Sequence, residues 1–311
     1  MLTDLLSLNV LIGVLTSGVR LATSYLFAAI GETFGQISGV LNLGVEGIML
    51  VAAYAAYYTV LQTGNLYLGL LVALIVGAAM GLMMAFISVT LNAEQGISGI
   101  GVYLFGLGLS DLLFRITVKS PQTVKGFQDI AIPGLSDLPI LGSVLFKQNI
   151  LVYAAFALVP LAWFVLNKTT FGLAVRAVGQ NPEAADTLGI SVARIRYITL
   201  TIGGALSGIA GASLSIALLN LFQQNLTSGQ GFIAVALVYF GAWKPARVML
   251  GCLLFSMVNA LQLWIQVLNI PIPSDIALMM PYVLTIVALM FAARSAVTQP
   301  AALTKPFERG E

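Results

Sequence analysis

Apolar residues run through this chain in long blocks, separated by short polar interruptions. Nine blocks stand out: Leu8–Ile30, Gly47–Leu61, Leu66–Leu91, Ile97–Ile116, Ile150–Leu166, Ile195–Leu219, a shorter one near Gly231–Trp243, Val248–Leu268 and Ala277–Ala293. Most approach the roughly 20 apolar residues that carry a helix across a bilayer. They do not alternate apolar with polar positions, which argues against a transmembrane β-barrel. The pattern predicts an all-α, polytopic transmembrane bundle of about nine spans (eight to ten), forming one domain over residues 1–311.

Two interruptions fall inside apolar territory. "SGVLNLGVEG" (38–47) places Gly39, Gly44 and Gly47 around Asn42 and Glu46, and "NLFQQNLTSGQG" (220–231) precedes the short block. Paired interrupted segments in the two halves of a chain are a pattern of transporters, whose irregular backbone lines or borders a cavity. Asn42 is placed to cap a starting helix, and Glu46 suits that helix's positive end. Substrate contact is the second role open to both. Phe222, Gln223 and Asn225 offer an aromatic ring and amides suited to a polar, uncharged, stackable solute.

Composition agrees with the pattern. Of 311 residues, 59% are hydrophobic and 8% charged, too few charges to cover a water-facing surface, and 31 glycines suit close helix packing. There is no His and one Cys, Cys252, so the commonest general base is missing and no intrachain disulfide can form. No catalytic constellation or metal site is legible, and a net charge of +2 gives no case for nucleic acid. The opening Met1–Asp4 lacks a basic region and a cleavage site, so the first block is expected to be retained.

Nine basic residues follow blocks five, seven and nine: Lys168, Arg176, Arg194, Arg196, Lys244, Arg247, Arg294, Lys305 and Arg309. By the positive-inside rule these connections are cytoplasmic, with the N-terminus outside and the C-terminus inside. The stretch at about 117–149, carrying Pro121, Pro133 and Pro139, reads as an irregular external loop. Asp111 and Arg115, four apart, can pair on one helix face. Arg20 has three roles open to it: pairing with Glu32, pairing with Glu46, or lining a path.

Between blocks five and six, at about 170–196, lies "NPEAADTLGI" (181–190). Asn181 and Pro182 can start a short helix, Glu183 suits its first turn, and Gly189 would end it. Ala184, Ala185 and Leu188 would share a face able to dock into a partner.

Glu183, Ala184, Ala185 and Gly189 resemble the Glu-Ala-Ala…Gly coupling motif of ATP-binding-cassette importer permeases, though the match to the generic motif is partial. "GVLNLGVEG" (39–47), "GLAVRAVGQNPEAADTLGI" (172–190), "GALSGIAGASLS" (204–215) and "GQGFIAVALVYFGAWKP" (229–245) resemble a narrower group. That group is the inner-membrane permeases of the simple-sugar and nucleoside importer family, and the shorter permease of nucleoside-type importers is the nearest branch. The likeness implies a non-enzymatic permease subunit of an ATP-driven importer, carrying a nucleoside or similar small neutral solute. It implies a bacterial inner-membrane location, with Asn181–Gly189 coupling to an ATPase subunit that carries the ATP and Mg. This chain itself would bind no cofactor, and it has no G-x-x-x-x-G-K-[ST] phosphate loop. The other implied partners are a second, related permease and an extracytoplasmic solute-binding lipoprotein. Relatives often carry an acidic–basic pair where this chain has Gln36–Ile37. The alternative function is an ion-gradient-driven secondary transporter or channel, which would need a carboxylate at mid-depth such as Glu46.

Overall fold

The structure is a computed structural model describing residues 8–136, 138–268 and 299–308, with isolated residues between 273 and 290. The helices are α1 (Leu8–Ile37), α2 (Val45–Thr63), α3 (Leu66–Ala85), α4 (Gln95–Thr117), α5 (Leu141–Leu145), α6 (Ile150–Lys168), α7 (Thr170–Gln180), α8 (Pro182–Thr187), α9 (Val192–Ser213), α10 (Gln230–Phe240) and α11 (Pro245–Val267). Single π turns extend α3 over Phe86–Thr90 and α9 over Leu214–Leu218. Among the described residues, seven helices are long and apolar enough to cross a membrane, and α10 is a shorter apolar helix. The ninth expected block, 277–293, is described only in part: 279–284, 286, 287 and 290 are helical, and the rest lies outside the described residues.

Helix α1 is the centre of the bundle, buried on every side from Gly18 to its end except at Arg20 and Leu21. Its neighbours keep an apolar outer face instead. Leu71 and Ile75 on α3, Ile97 and Leu104 on α4, and Leu161 and Phe164 on α6 are all exposed. In water such a surface would be unstable; in a bilayer it meets acyl chains. Termini are held by side-chain caps: Asn65 accepts from the N–H groups of Tyr67 and Leu68, and Asn149 from Val152. Glu94 accepts from Ile97 at 2.5 Å and Gly96 at 3.0 Å, and those two N–H donors hold its carboxyl below the ordinary range.

Packing between α3 and α9 depends on having no side chain at the crossing. A Cβ on Gly204 would meet the Gly77 carbonyl at 2.4 Å, and one on Gly208 would meet the Ala73 carbonyl at 2.3 Å. Lipid gives apolar helices no hydrophobic reason to associate, so this close backbone approach supplies dispersion contact instead. The glycines of the first interruption divide in the same way. Gly39 takes a left-handed φ of +96°, whereas Gly47 lies where a Cβ would meet the Val102 carbonyl at 2.6 Å.

The loop at about 117–149 is more ordered than its prolines suggest. Asp129–Ala131 (β1) pairs antiparallel with Lys147–Asn149 (β2), joined through the short α5. Arg20 reaches this sheet rather than Glu32 or Glu46: it forms a salt bridge with Asp129 and donates from Nε to Gln148 Oε1 at 2.9 Å. The sequence offered no sign that a hairpin from the loop would fold down onto α1. Asp111 and Arg115 pair as their spacing predicts, at 2.9 Å.

These contacts generate a paired test. Gly204→Ala should lower the thermal stability of the detergent-solubilised protein, by about 1–3 kcal/mol if backbones must separate. Gly101→Ala, where a Cβ meets open space, should be neutral or slightly stabilising. Melting followed by size-exclusion loss of the folded peak reads both; equal effects would contradict the crossing described here.

Candidate functional site

The two interruptions, 185 residues apart in sequence between Glu46 and Gly231, meet in space. Helix α2 begins after the first interruption, with Gly44 at its N-cap and Glu46 in its first turn. Helix α10 begins after the second, with Gly229 at its N-cap. The Glu46 carboxylate closes the gap: it accepts from Thr227 Oγ1 at 2.5 Å, Gly229 N–H at 2.7 Å and Gly231 N–H at 2.6 Å. Two helix N-termini, both electropositive, thus converge on one carboxylate. Gly231 is required there, since a Cβ would stand 2.6 Å from the Glu46 backbone.

The depth of this junction follows from helix geometry. Ser24 Oγ donates to Gln230 Oε1 at 2.8 Å, so the start of α10 stands beside Ser24. Thirteen residues separate Ser24 from Ile37 at the end of α1, about 20 Å at 1.5 Å rise per residue. The junction therefore lies near the middle of the longest span. From the far end of α9, residues 219–229 descend to that depth as irregular backbone, and α10 continues to the end where the basic residues collect. Irregular backbone is tolerated there because Phe222, Leu226 and Thr227 pack into protein and Glu46 accepts from the Gly229 and Gly231 N–H groups.

A second buried carboxylate supports the first interruption. Glu32 Oε1 accepts from Asn42 N–H at 3.0 Å and from Gln36 Nε2 at 3.2 Å. Gln36 in turn accepts from Trp243 Nε1 at 2.8 Å, tying the end of α1 to the turn after α10. Gln36 is thus a buried bridge. Asn42 Oδ1 accepts from Gly44 N–H at 2.9 Å, a turn contact just before α2.

The expected path residues separate into two groups. Asn42 and Glu46 are each 1% exposed and Phe222 is fully buried. Phe222 sits among Tyr54, Tyr57 and Phe114, with ring centroids 5.3 to 6.1 Å away. Gln223 and Asn225, on the same descending segment, are exposed.

At the basic end, the segment 181–190 folds into the short helix its residues predict. Asn181 caps α8 by accepting from Ala184 N–H at 2.9 Å, Pro182 opens the helix, and Gly189 ends it at φ +84°. The expected docking face is split, however. Ala185 turns inward against Val178, Val192 and Phe307, whereas Glu183, Ala184 and Leu188 are exposed. A six-residue helix is too short to bury one face and present another unless its neighbours decide which.

Residues 299–308 provide one such neighbour, and sequence reading gave them no role. Ala302 N–H donates to the Gly179 carbonyl at 2.9 Å, and Thr304 N–H to the Gly39 carbonyl at 3.2 Å. Arg196, 1% exposed at the start of α9, donates to the carbonyls of Ser38 at 3.3 Å and Lys305 at 3.2 Å. The first interruption, the end of α7, the start of α9 and the tail are therefore one hydrogen-bonded unit. The only hint in sequence was an arginine beside an apolar block.

Glu46→Ala should leave three donors without an acceptor, the two buried ones at roughly 1–3 kcal/mol each, and should abolish or strongly reduce the folded yield. Glu46→Gln retains one acceptor oxygen and should fall between wild type and Ala. Asn42→Ala removes one turn contact and should be the mildest of the three. Thermal melting in detergent checks that order; an equal loss for Asn42→Ala and Glu46→Ala would contradict the junction.

Comparison with known proteins places this geometry. The family described as branched-chain amino acid transport system, permease component, matches residues 14–289. A putative glucose ABC transporter permease of Haloferax volcanii is 40% identical over 83% of this chain and 79% of its own length. The guanosine ABC transporter permease NupQ of Bacillus subtilis is 36% identical over 86% and 88%. The nucleoside ABC transporter permease NupC of Lactococcus lactis is 34% identical over 90% and 92%. No solved structure matches the chain. Such permeases are transport components rather than enzymes, and the apolar helices make this one a multi-pass membrane protein. The chain belongs to the branched-chain amino acid transport system permease family and is a permease subunit of an ATP-binding-cassette importer.

Proposed function

We propose that this subunit forms part of the translocation path for a nucleoside or similar small neutral solute in the bacterial inner membrane. Two relatives named for guanosine and nucleoside transport, each at least 34% identical over most of the chain, carry the solute class. Gln223 and Asn225, exposed on the descending segment, would offer amides to the solute. Asn42, Glu46 and Phe222 would fix the backbone behind them.

The end bearing Arg176, Lys244, Arg247 and Lys305 is taken as cytoplasmic, with the N-terminus outside, since positive charge marks that side. There, Asn181, Pro182, Glu183, Ala184, Ala185 and Gly189 would engage an ATPase subunit, which binds the ATP and Mg; this chain needs no cofactor of its own. Exposed Leu188 and Glu183 would make the contact, while Ala185 would pass movement to Val178 and Val192 in the bundle. A cleft of about 360 Å³ between Gln180–Glu183 and Ala301–Glu308 adjoins this surface and would admit part of the partner. Nucleotide binding would shift α8, and the unit built on Arg196 and Gly39 would carry that shift toward the Glu46 junction. The reading includes about nine spans, a second related permease across the path, and an extracytoplasmic binding lipoprotein. The paired guanosine permeases NupQ and NupP of Bacillus subtilis support the second permease. An ion-gradient carrier would require Glu46 to exchange protons, but both its oxygens already hold donors.

Leu188→Asp should reduce ATP-driven solute uptake in reconstituted vesicles by about tenfold or more, the effect of losing roughly 1.4 kcal/mol of contact. Melting of the isolated chain should not change, because Leu188 is 81% exposed. Uphill uptake of radiolabelled guanosine by the solubilised chain without any ATPase subunit would overturn the reading.

A further inference from the structure

At the basic end of the bundle, a cavity of about 630 Å³ opens between the end of α6, helix α7 and the turn leading into α11. Its cationic residues are Arg176, Lys244 and Arg247, all exposed, and among the described residues no acidic one lines it. None of the three forms a salt bridge among the described residues. Three uncompensated cations around one concavity repel each other and draw an anion. Besides the amides of Asn167 and Gln180, the rest of the lining is apolar, including Ile37, Leu166 and the rings of Trp163 and Trp243.

The position of Trp163 sets the kind of anion. It is 47% exposed on α6, next to Phe164 at 53% and close to Leu161 at 56%. The apolar wall of the cavity is therefore continuous with the face that α6 turns to acyl chains. Lys168 lies 5.9 Å from the centre of the Trp163 ring, so Trp and Lys together mark the level of the membrane–water interface. A free phosphate would use only the cations. A glycerophospholipid would use both parts, with its chains along Leu161 and Phe164 and its phosphodiester among Arg176, Lys244 and Arg247. We propose that this cavity is a binding site for the headgroup of an anionic phospholipid from the adjoining leaflet. Its walls come from α1, α6, α7, the α10–α11 turn, the start of α11 and Pro300. Occupancy would brace the turn that Gln36 holds through Trp243, beside the coupling segment. The site goes beyond the transport reading and does not depend on which solute is carried.

The chain has three tryptophans, two of them in this cavity, so its own fluorescence reports on the site. In Trp264→Phe, emission comes from Trp163 and Trp243 alone. The full chain is placed in phosphatidylcholine vesicles containing the same small fraction of dibrominated phosphatidylglycerol or dibrominated phosphatidylcholine. The anionic lipid should quench more strongly, with an enrichment on the order of fivefold per cation engaged. Arg176→Gln/Lys244→Gln/Arg247→Gln should abolish the difference. Native mass spectrometry of the parent chain, which needs no Trp substitution, should show retained phosphatidylglycerol that the triple variant lacks. Equal quenching by the two lipids, or a difference that survives the triple substitution, would overturn the proposal. Equal quenching together with loss of ATPase co-purification in the triple variant would assign these cations to a protein partner instead. Displacement of bound phosphatidylglycerol by inorganic phosphate alone would reduce the site to a simple phosphate pocket.

Discussion

A backbone that leaves its helix in the middle of a membrane must find partners for its N–H groups within the protein. In this permease a carboxylate from the first interruption meets that requirement for the second. Glu46 belongs to the start of α2, yet its oxygens serve Thr227, Gly229 and Gly231 at the start of α10. The descending segment, the short helix after it and the meeting of the two interruptions all depend on that contact. Without an acceptor there, residues 219–229 would have to rise to water or continue as helix, and no half-length helix would exist.

Other features extend from this junction. Glu32 and Gln36 carry polar connection from the first interruption down the buried length of α1 to Trp243. Below them Arg196 draws the first interruption and the tail together. A column of buried polar contacts thus runs from mid-depth to the basic end, where α8 stands. Around it, glycine crossings such as Gly77 against Gly204 keep neighbouring helices close enough to exclude lipid.

Much of the architecture was legible because each signal was local. Seven apolar blocks became long helices, and Asn181, Pro182 and Gly189 framed α8, since caps and turn residues act within a few positions. The pairing of Asp111 with Arg115 followed from spacing. What failed was contact at long range. Arg20 gave no sign that it would reach a hairpin more than a hundred residues away, and Ala185 gave none that it would turn inward. Glu46 was recognised as a helix-start residue, but the helix it serves most is the other one.

By itself the sequence determined the class of protein, its apolar segments, the places where they break and the family it resembles. Those depend on hydropathy over about 20 residues and on turn chemistry at single positions. Tertiary structure alone decided which break faces which, which carboxylate is used up, and where cations and tryptophans gather into a cavity. The reason is physical. A buried charge or free N–H is costly enough to require a partner, but the requirement does not say where along the chain that partner lies.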